Sequence, residues 1–207
     1  KVPREKWDAK YGAGKGNRWQ IHHTLPRRVI AVGDRVYATL QFLDSPVSVL
    51  DAATGAILIE VLPGTKGTDE MVLAGDILVA KTNTQRSPGA QEGIVYQKLA
   101  NALVAVDVKA GKPLWKKADA HVAPYTLALH EGRVVYHTTS EIVCLDAASG
   151  KEVWKTPHKI NKNRGGKFNL VVHNDTVLFH GKKLTVLSLA DGKKLWEHKG
   201  VGPISAA

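Results

Sequence analysis

The chain has 207 residues and a mass of 22.4 kDa with 43% hydrophobic residues, enough to bury a sizeable core in one or two domains. No apolar run approaches the roughly 20 residues that cross a bilayer, and one cysteine, Cys144, excludes an intrachain disulfide and a multi-cysteine metal site. Formal net charge is +10 and is uneven: residues 109–207 carry 16 Lys and Arg against 8 Asp and Glu, whereas 13 face 11 before them. Lysines spread over turns in this way read as a solvated face, not as a nucleic-acid footprint.

In chain order, residues 1–27 read as a linker or the tail of a preceding element. They open on Lys1 without a leader pattern, so the first residues are expected to have been removed or left out. Within them, Tyr11 to Asn17 (YGAGKGN) has glycines and a lysine that could cradle a phosphate, but it lacks the GK-Ser/Thr order at a helix start and reads as flexible linker. Alternating strands follow. Arg28 to Val32 and Arg35 to Leu40 flank Gly33-Asp34, then Val49 to Ile59 reads VLDAATGAILI. Met71 to Ala74 and Ile77 to Lys81 flank Gly75-Asp76.

The stretch Thr82 to Leu99 (TNTQRSPGAQEGIVYQKL) is an insertion, and it offers Arg86, Gln91, Glu92, Tyr96 and Lys98 as residues that could contact a partner. Ala105 to Trp115 (AVDVKAGKPLW) comes next. Thr126 to Leu129 and Arg133 to His137 then flank His130-Glu131-Gly132, ahead of Cys144 to Trp154 (CLDAASGKEVW). The loop His158 to Lys167 (HKINKNRGGK) gathers Lys159, Lys162, Arg164 and Lys167 and could meet an acidic partner. Asn169 to Val172 and Thr176 to His180 flank His173-Asn174-Asp175, and Val186 to Trp196 reads VLSLADGKKLW. Residues 199–207 read as the start of a further repeat.

Four of these stretches align without gaps on Gly55, Gly111, Gly150 and Gly192, spaced by 56, 39 and 42 residues, the range of propeller blades. An Asp at the strand end can bond the turn backbone, and the Gly four positions later can take the positive φ that closes a hairpin. The second strand ends on a tryptophan large enough to bury substantial area against a neighbouring unit. Two strands precede each hairpin, so each repeat reads as four short antiparallel strands, and capped helix-period segments are absent. The expected fold is all-β: a β-propeller with four blades at 28–63, 68–117, 122–156 and 165–198, taken as an arc of a larger ring.

Chemistry is harder to place. His130 and His173, like His137 and His180, are 43 residues apart and occupy equivalent places in successive blades, so repetition explains them; no HExxH pattern supports a metal. No GxSxG elbow is present and the Ser, His and Asp residues are scattered. Cys144 occupies an inward, small-residue position and reads as a buried structural thiol. Catalytic, cofactor-binding and metal residues are therefore expected to be absent from this segment.

The phrase small-x-Asp, three residues with Thr or Ser, Gly, three residues, Trp resembles the pyrrolo-quinoline quinone (PQQ) repeat over residues 28–198. That repeat is found in eight-bladed quinoprotein alcohol dehydrogenases and in non-catalytic relatives, including the lipoprotein of the outer-membrane β-barrel assembly machinery. The resemblance implies that Trp115, Trp154 and Trp196 dock on an adjacent blade against the small-residue positions Val49, Ala105, Cys144 and Val186. Ile59 stands where the first Trp is due, and Ser188 replaces the last Asp. The relatives that are enzymes hold PQQ with a disulfide of adjacent cysteines and a calcium ion, and a single cysteine cannot supply that ring. The expectation is a scaffold that binds a protein partner through loops on one face, exported or periplasmic, with no nucleic acid and no membrane span. The alternative is part of a PQQ- and calcium-dependent oxidoreductase whose site lies in other blades.

Overall fold

The computed structural model describes residues 28–40, 45–83, 101–160, 168–181 and 183–199. Among them every regular element is a strand, and the sixteen strands form four antiparallel sheets of four. Blade 1 holds β1 (Val29–Val32), β2 (Arg35–Thr39), β3 (Val47–Asp51) and β4 (Ile57–Ile59). Blade 2 holds β5 (Thr68–Ala74), β6 (Ile77–Thr82), β7 (Ala102–Asp107) and β8 (Lys112–Lys117). Blade 3 holds β9 (Ala128–His130), β10 (Arg133–His137), β11 (Glu141–Asp146) and β12 (Glu152–Pro157). Blade 4 holds β13 (Asn169–His173), β14 (Thr176–His180), β15 (Lys183–Ser188) and β16 (Lys194–Lys199). Each blade is a simple meander in chain order, and the first strand of one blade contacts the first strand of the next, as in a β-propeller.

Turn chemistry makes the hairpins. Asp51 Oδ1 accepts the backbone N–H groups of Ala53 and Thr54 at 3.1 and 2.7 Å, and the Thr54 hydroxyl at 2.7 Å. Asp107 Oδ1 likewise accepts the N–H groups of Lys109 and Ala110 in blade 2, and Asp146 Oδ1 the N–H and hydroxyl of Ser149 in blade 3. These bonds hold the Asp51 and Asp146 carboxyls below the usual carboxylate range. In blade 4, where Ser188 takes the place of the aspartate, the Lys193 ammonium 2.8 Å from Asp191, together with the Lys193 backbone N–H at 3.2 Å, lowers the Asp191 carboxyl to about 2. The closing glycines all have φ between 65° and 72°. A second bond ties each of these turns to the other turn of its blade: the N–H groups of Ala52, Val108, Ala147 and Leu189 donate to the carbonyls of Asp34, Asp76, Gly132 and Asp175 at 2.8–2.9 Å.

Three apolar cores fill the boundaries between consecutive blades. Strand alternation supplies them, because cross-strand partners share a face. Val72, Val79, Ala105 and Trp115 lie in one register row and face blade 3; Val135, Cys144 and Trp154 lie in another and face blade 4. In every blade the register between the third and fourth strands slips once, at Val49/Leu50, Ala105/Val106, Cys144/Leu145 and Val186/Leu187. This bulge places one residue outside the pairing before each Trp (or Ile59), so Leu58, Leu114, Val153 and Leu195 are exposed although apolar.

Candidate interaction face

The meander sends two kinds of connection to opposite ends of the blades. Among the described residues, one end carries only the tight turns at 33–34, 52–56, 75–76, 108–111, 131–132, 147–151, 174–175 and 189–193. The other carries the connections within blades after β2, β6, β10 and β14 and all passages between blades. The strand ends flanking the insertion, Thr82-Asn83 and Asn101, and those flanking the basic loop, Pro157 to Ile160 and Phe168, are all on this second face. Arg86, Gln91, Glu92, Tyr96, Lys98, Lys162, Arg164 and Lys167 lie outside the described residues, as do residues 1–27 and 200–207. Lys159 is described and exposed.

The rim of this face is polar and buried, which costs free energy unless partners are supplied. Arg28 of the segment entering β1 bonds Asp69 of β5 at 3.1 Å, joining blades 1 and 2. Glu70, wholly buried, accepts the Tyr125 N–H at 3.1 Å, joining blade 2 to the segment entering blade 3. The Tyr125 carbonyl accepts the Leu170 N–H at 3.2 Å, joining blade 4. Asn101 makes a two-way clasp, its amide donating to the Val122 carbonyl at 3.2 Å and its oxygen accepting the Val122 N–H at 2.8 Å. Apolar alternation starts this strand at Met71 and so leaves Asp69 and Glu70 outside it. The structure starts β5 at Thr68 and absorbs the two acids through a slip between Thr68 and Glu70. Two consecutive acids directly ahead of an alternating apolar run were the available signal.

The histidines of successive blades hold equivalent places, His130 and His173 ending the first strand and His137 and His180 the second. His173 and His180 are exposed, and His137, wholly buried at the end of β10, pairs with His158 and not with its repeat equivalent. Their ring nitrogens, His137 Nε2 and His158 Nδ1, are 3.0 Å apart, and both rings pack on Phe179 of the next blade. Burial lowers the basicity of both, that of His137 to about 3. Repetition hid this pair because His158 has no counterpart in the repeating phrase.

The tryptophans and glycines meet across blades. The Trp115 indole N–H donates to the Ala147 carbonyl at 2.8 Å, and the Trp154 N–H to the Leu189 carbonyl at 2.7 Å, each ring lying over the turn glycine of the next blade, Gly150 or Gly192. The small residues Ala105, Cys144 and Val186 are instead cross-strand neighbours of the tryptophan in their own blade, and Val49 of Ile59; the resemblance had them receive a ring from the adjacent blade. Trp154 is buried, whereas Trp196 is 50% exposed, and no seat among the described residues covers it. Gly55 and Gly111 have open space where Gly150 and Gly192 have indoles. For Gly111 the reason is Ile59, which carries no ring to place there.

Among the described residues, no three His, Cys, Asp or Glu side chains gather as metal ligands would, and Cys144 is buried between blades 3 and 4 with its thiol pushed up to about 11 by burial. The described residues do not fit a calcium ion beside a ring of adjacent cysteines. No helix among them is long and apolar enough to cross a membrane.

Comparisons with known proteins agree with this architecture. No curated protein sequence matches the chain. Among solved structures, BamB from Moraxella catarrhalis is 17% identical with a TM-score of 0.60, aligned over 86% of this chain and 50% of that one. The computationally designed Ika8 protein is 16% identical with a TM-score of 0.61, over 84% and 48%. A quinohemoprotein alcohol dehydrogenase from Pseudomonas putida HK5 is 14% identical with a TM-score of 0.53, over 83% and 33%. The chain spans about half the length of the first two. At these identities the likeness is one of fold. The family described as outer membrane protein assembly factor BamB matches residues 5–156 and again residues 43–204. On that match and the four-stranded blades, the chain belongs to the PQQ-repeat β-propeller family of the outer membrane protein assembly factor BamB.

Proposed function

We propose that the chain is a non-catalytic scaffold of an exported, periplasmic protein, whose blades hold partner-binding loops on one face. The observation that carries this reading is topological. The strand ends flanking the 84–100 and 161–167 segments open on the same face, whereas among the described residues the opposite face has only tight turns. Membership of the BamB family supports assembly as the setting. The blades act as a rigid frame, and Arg86, Gln91, Glu92, Tyr96, Lys98, Lys159, Lys162, Arg164 and Lys167 supply contact and charge, with no bond chemistry in the segment.

The test is binding of the full chain to outer-membrane protein assembly machinery purified from the source cells without it. One variant replaces 84–99 with a short Gly-Ser loop, and a second neutralises the four cations of 158–167. Loss of binding by at least about tenfold in either variant, with an unchanged circular dichroism spectrum, is the expected result. Unaltered binding in both variants overturns the assignment of the loops. Adding PQQ and calcium to the full chain is the second arm: quinone absorbance with dye reduction would replace the scaffold by an oxidoreductase.

A further inference from the structure

The geometry points to a proton-sensitive latch between blades 3 and 4, in which the His137–His158 pair clamps the segment leaving β12 onto the β10–β11 turn only while both imidazoles are neutral. The latch stands whether or not the face binds a partner.

Hydrogen-bond accounting carries the inference. The Thr139 backbone N–H can only donate, and it reaches His137 Nδ1 at 2.7 Å, so Nδ1 holds a lone pair and the ring proton sits on Nε2. That proton is donated to His158 Nδ1 at 3.0 Å, which leaves His158 Nε2 with its proton, 3.5 Å from the Thr185 hydroxyl. Both acceptor nitrogens of the pair are therefore occupied. A proton added to His158 Nδ1 sets two N–H groups against each other. Moving the His137 proton to Nδ1 relieves that clash only by opposing the Thr139 N–H. No tautomer accommodates the extra proton without losing a bond to the turn or between the rings.

The same two segments are joined by their backbones. The His158 N–H donates to the Ser140 carbonyl at 2.8 Å and the Ile160 N–H to the Thr139 carbonyl at 3.1 Å, while Ile160 packs on the blade 3–4 core. Thr139 holds φ at 82°, a left-handed conformation unfavourable for a β-branched residue, so the turn depends on its outside bonds. Around the rings, β11 brings Cys144 into the same core and Glu141 to the edge of the turn, and β14 brings Phe179. From blade 4, β15 brings Thr185 and Lys183, and β16 brings Glu197, already paired with Lys183 at 2.6 Å. Burial lowers the proton affinity of His158, and the Glu197 carboxylate opposes that effect without reversing it. The unfolded chain binds these protons near the ordinary imidazole value of 6.5, ahead of the folded one. The stability supplied by the pair is therefore complete above that pH and drains away as the pH falls.

The experiment is amide hydrogen exchange on the full chain between about pH 7.5 and about pH 4.5, corrected for intrinsic exchange. The amides of Thr139, His158 and Ile160 should lose protection by about tenfold or more on acidification, while those of the β10–β11 ladder keep theirs. His158→Asn, which retains an acceptor but cannot titrate, should flatten that response. Equal protection of the three amides at both pH values in the native chain would overturn the latch, as would an unflattened response in the variant. Should His158→Asn fail to fold, ring-nitrogen NMR of the native chain decides: the tautomers above with both rings titrating below the ordinary value support the latch, and ordinary titration of both refutes it.

Discussion

A methyl group at Gly150 would stand 2.6 Å from Trp115 Cδ2, and one at Gly192 would stand 2.5 Å from Trp154 Cε3, with φ near 70° at both. Gly111 shares that backbone conformation with nothing within 4 Å. The two demands on a turn glycine can thus be separated. Gly111→Ala should cost about 1–2 kcal/mol from the left-handed backbone alone, whereas Gly150→Ala and Gly192→Ala should cost about 3 kcal/mol or more, because the ring must also leave its seat. Urea unfolding of the three variants checks this, and equal costs would mean that the seats contribute little. The first demand was legible in the spacing from Asp to Gly. The second was not, since the ring that needs the space sits one repeat earlier and a local phrase contains no cross-blade distances.

At the level of the strand, alternation alone misjudges the fourth strand of each blade. Val153 and Leu114 continue an apolar pattern, yet the bulge next to Cys144 or Ala105 turns them outward and sends the following tryptophan inward. A one-residue slip leaves no mark in a sequence whose hydrophobicity is unchanged by it. The short strand β4 is the exception that invites repair. Ile59→Trp should place an indole over the open Gly111 turn and let its N–H reach the Val108 carbonyl, the counterpart of Ala147 and Leu189. A gain of about 1 kcal/mol, read as a rise in thermal midpoint, is the expected outcome. A loss would show that the boundary between blades 1 and 2 has closed around the isoleucine.

On the scale of the whole molecule, a set of described lysines follows the architecture. Lys112, Lys116 and Lys117 lie on β8, Lys155 on β12, and Lys194 and Lys199 on β16, each the outermost strand of its blade. Such strands present unpaired backbone groups, and lysine is a common guard against edge-to-edge pairing. Replacing Lys116, Lys155 and Lys194 together by Thr should leave the fold intact and raise light scattering at high concentration; unchanged solubility would return the charge to a binding role. The four blades could be read from the sequence because each boundary repeats the same contacts. The polar rim could not, because Arg28–Asp69, Glu70–Tyr125 and Asn101–Val122 each occur once and join distant positions.

The stitched pairs of turns have an effect beyond stability. Because the Asp34, Asp76, Gly132 and Asp175 carbonyls fasten each blade at one end, strand register is fixed there and owes nothing to how far the chain wanders at the other. Asn83, bonded to the Gly67 carbonyl, and Asn101, clasped to Val122, moor the two banks of the insertion independently. Lengthening or exchanging what runs between those moorings changes what the molecule can touch without asking the wheel to be rebuilt.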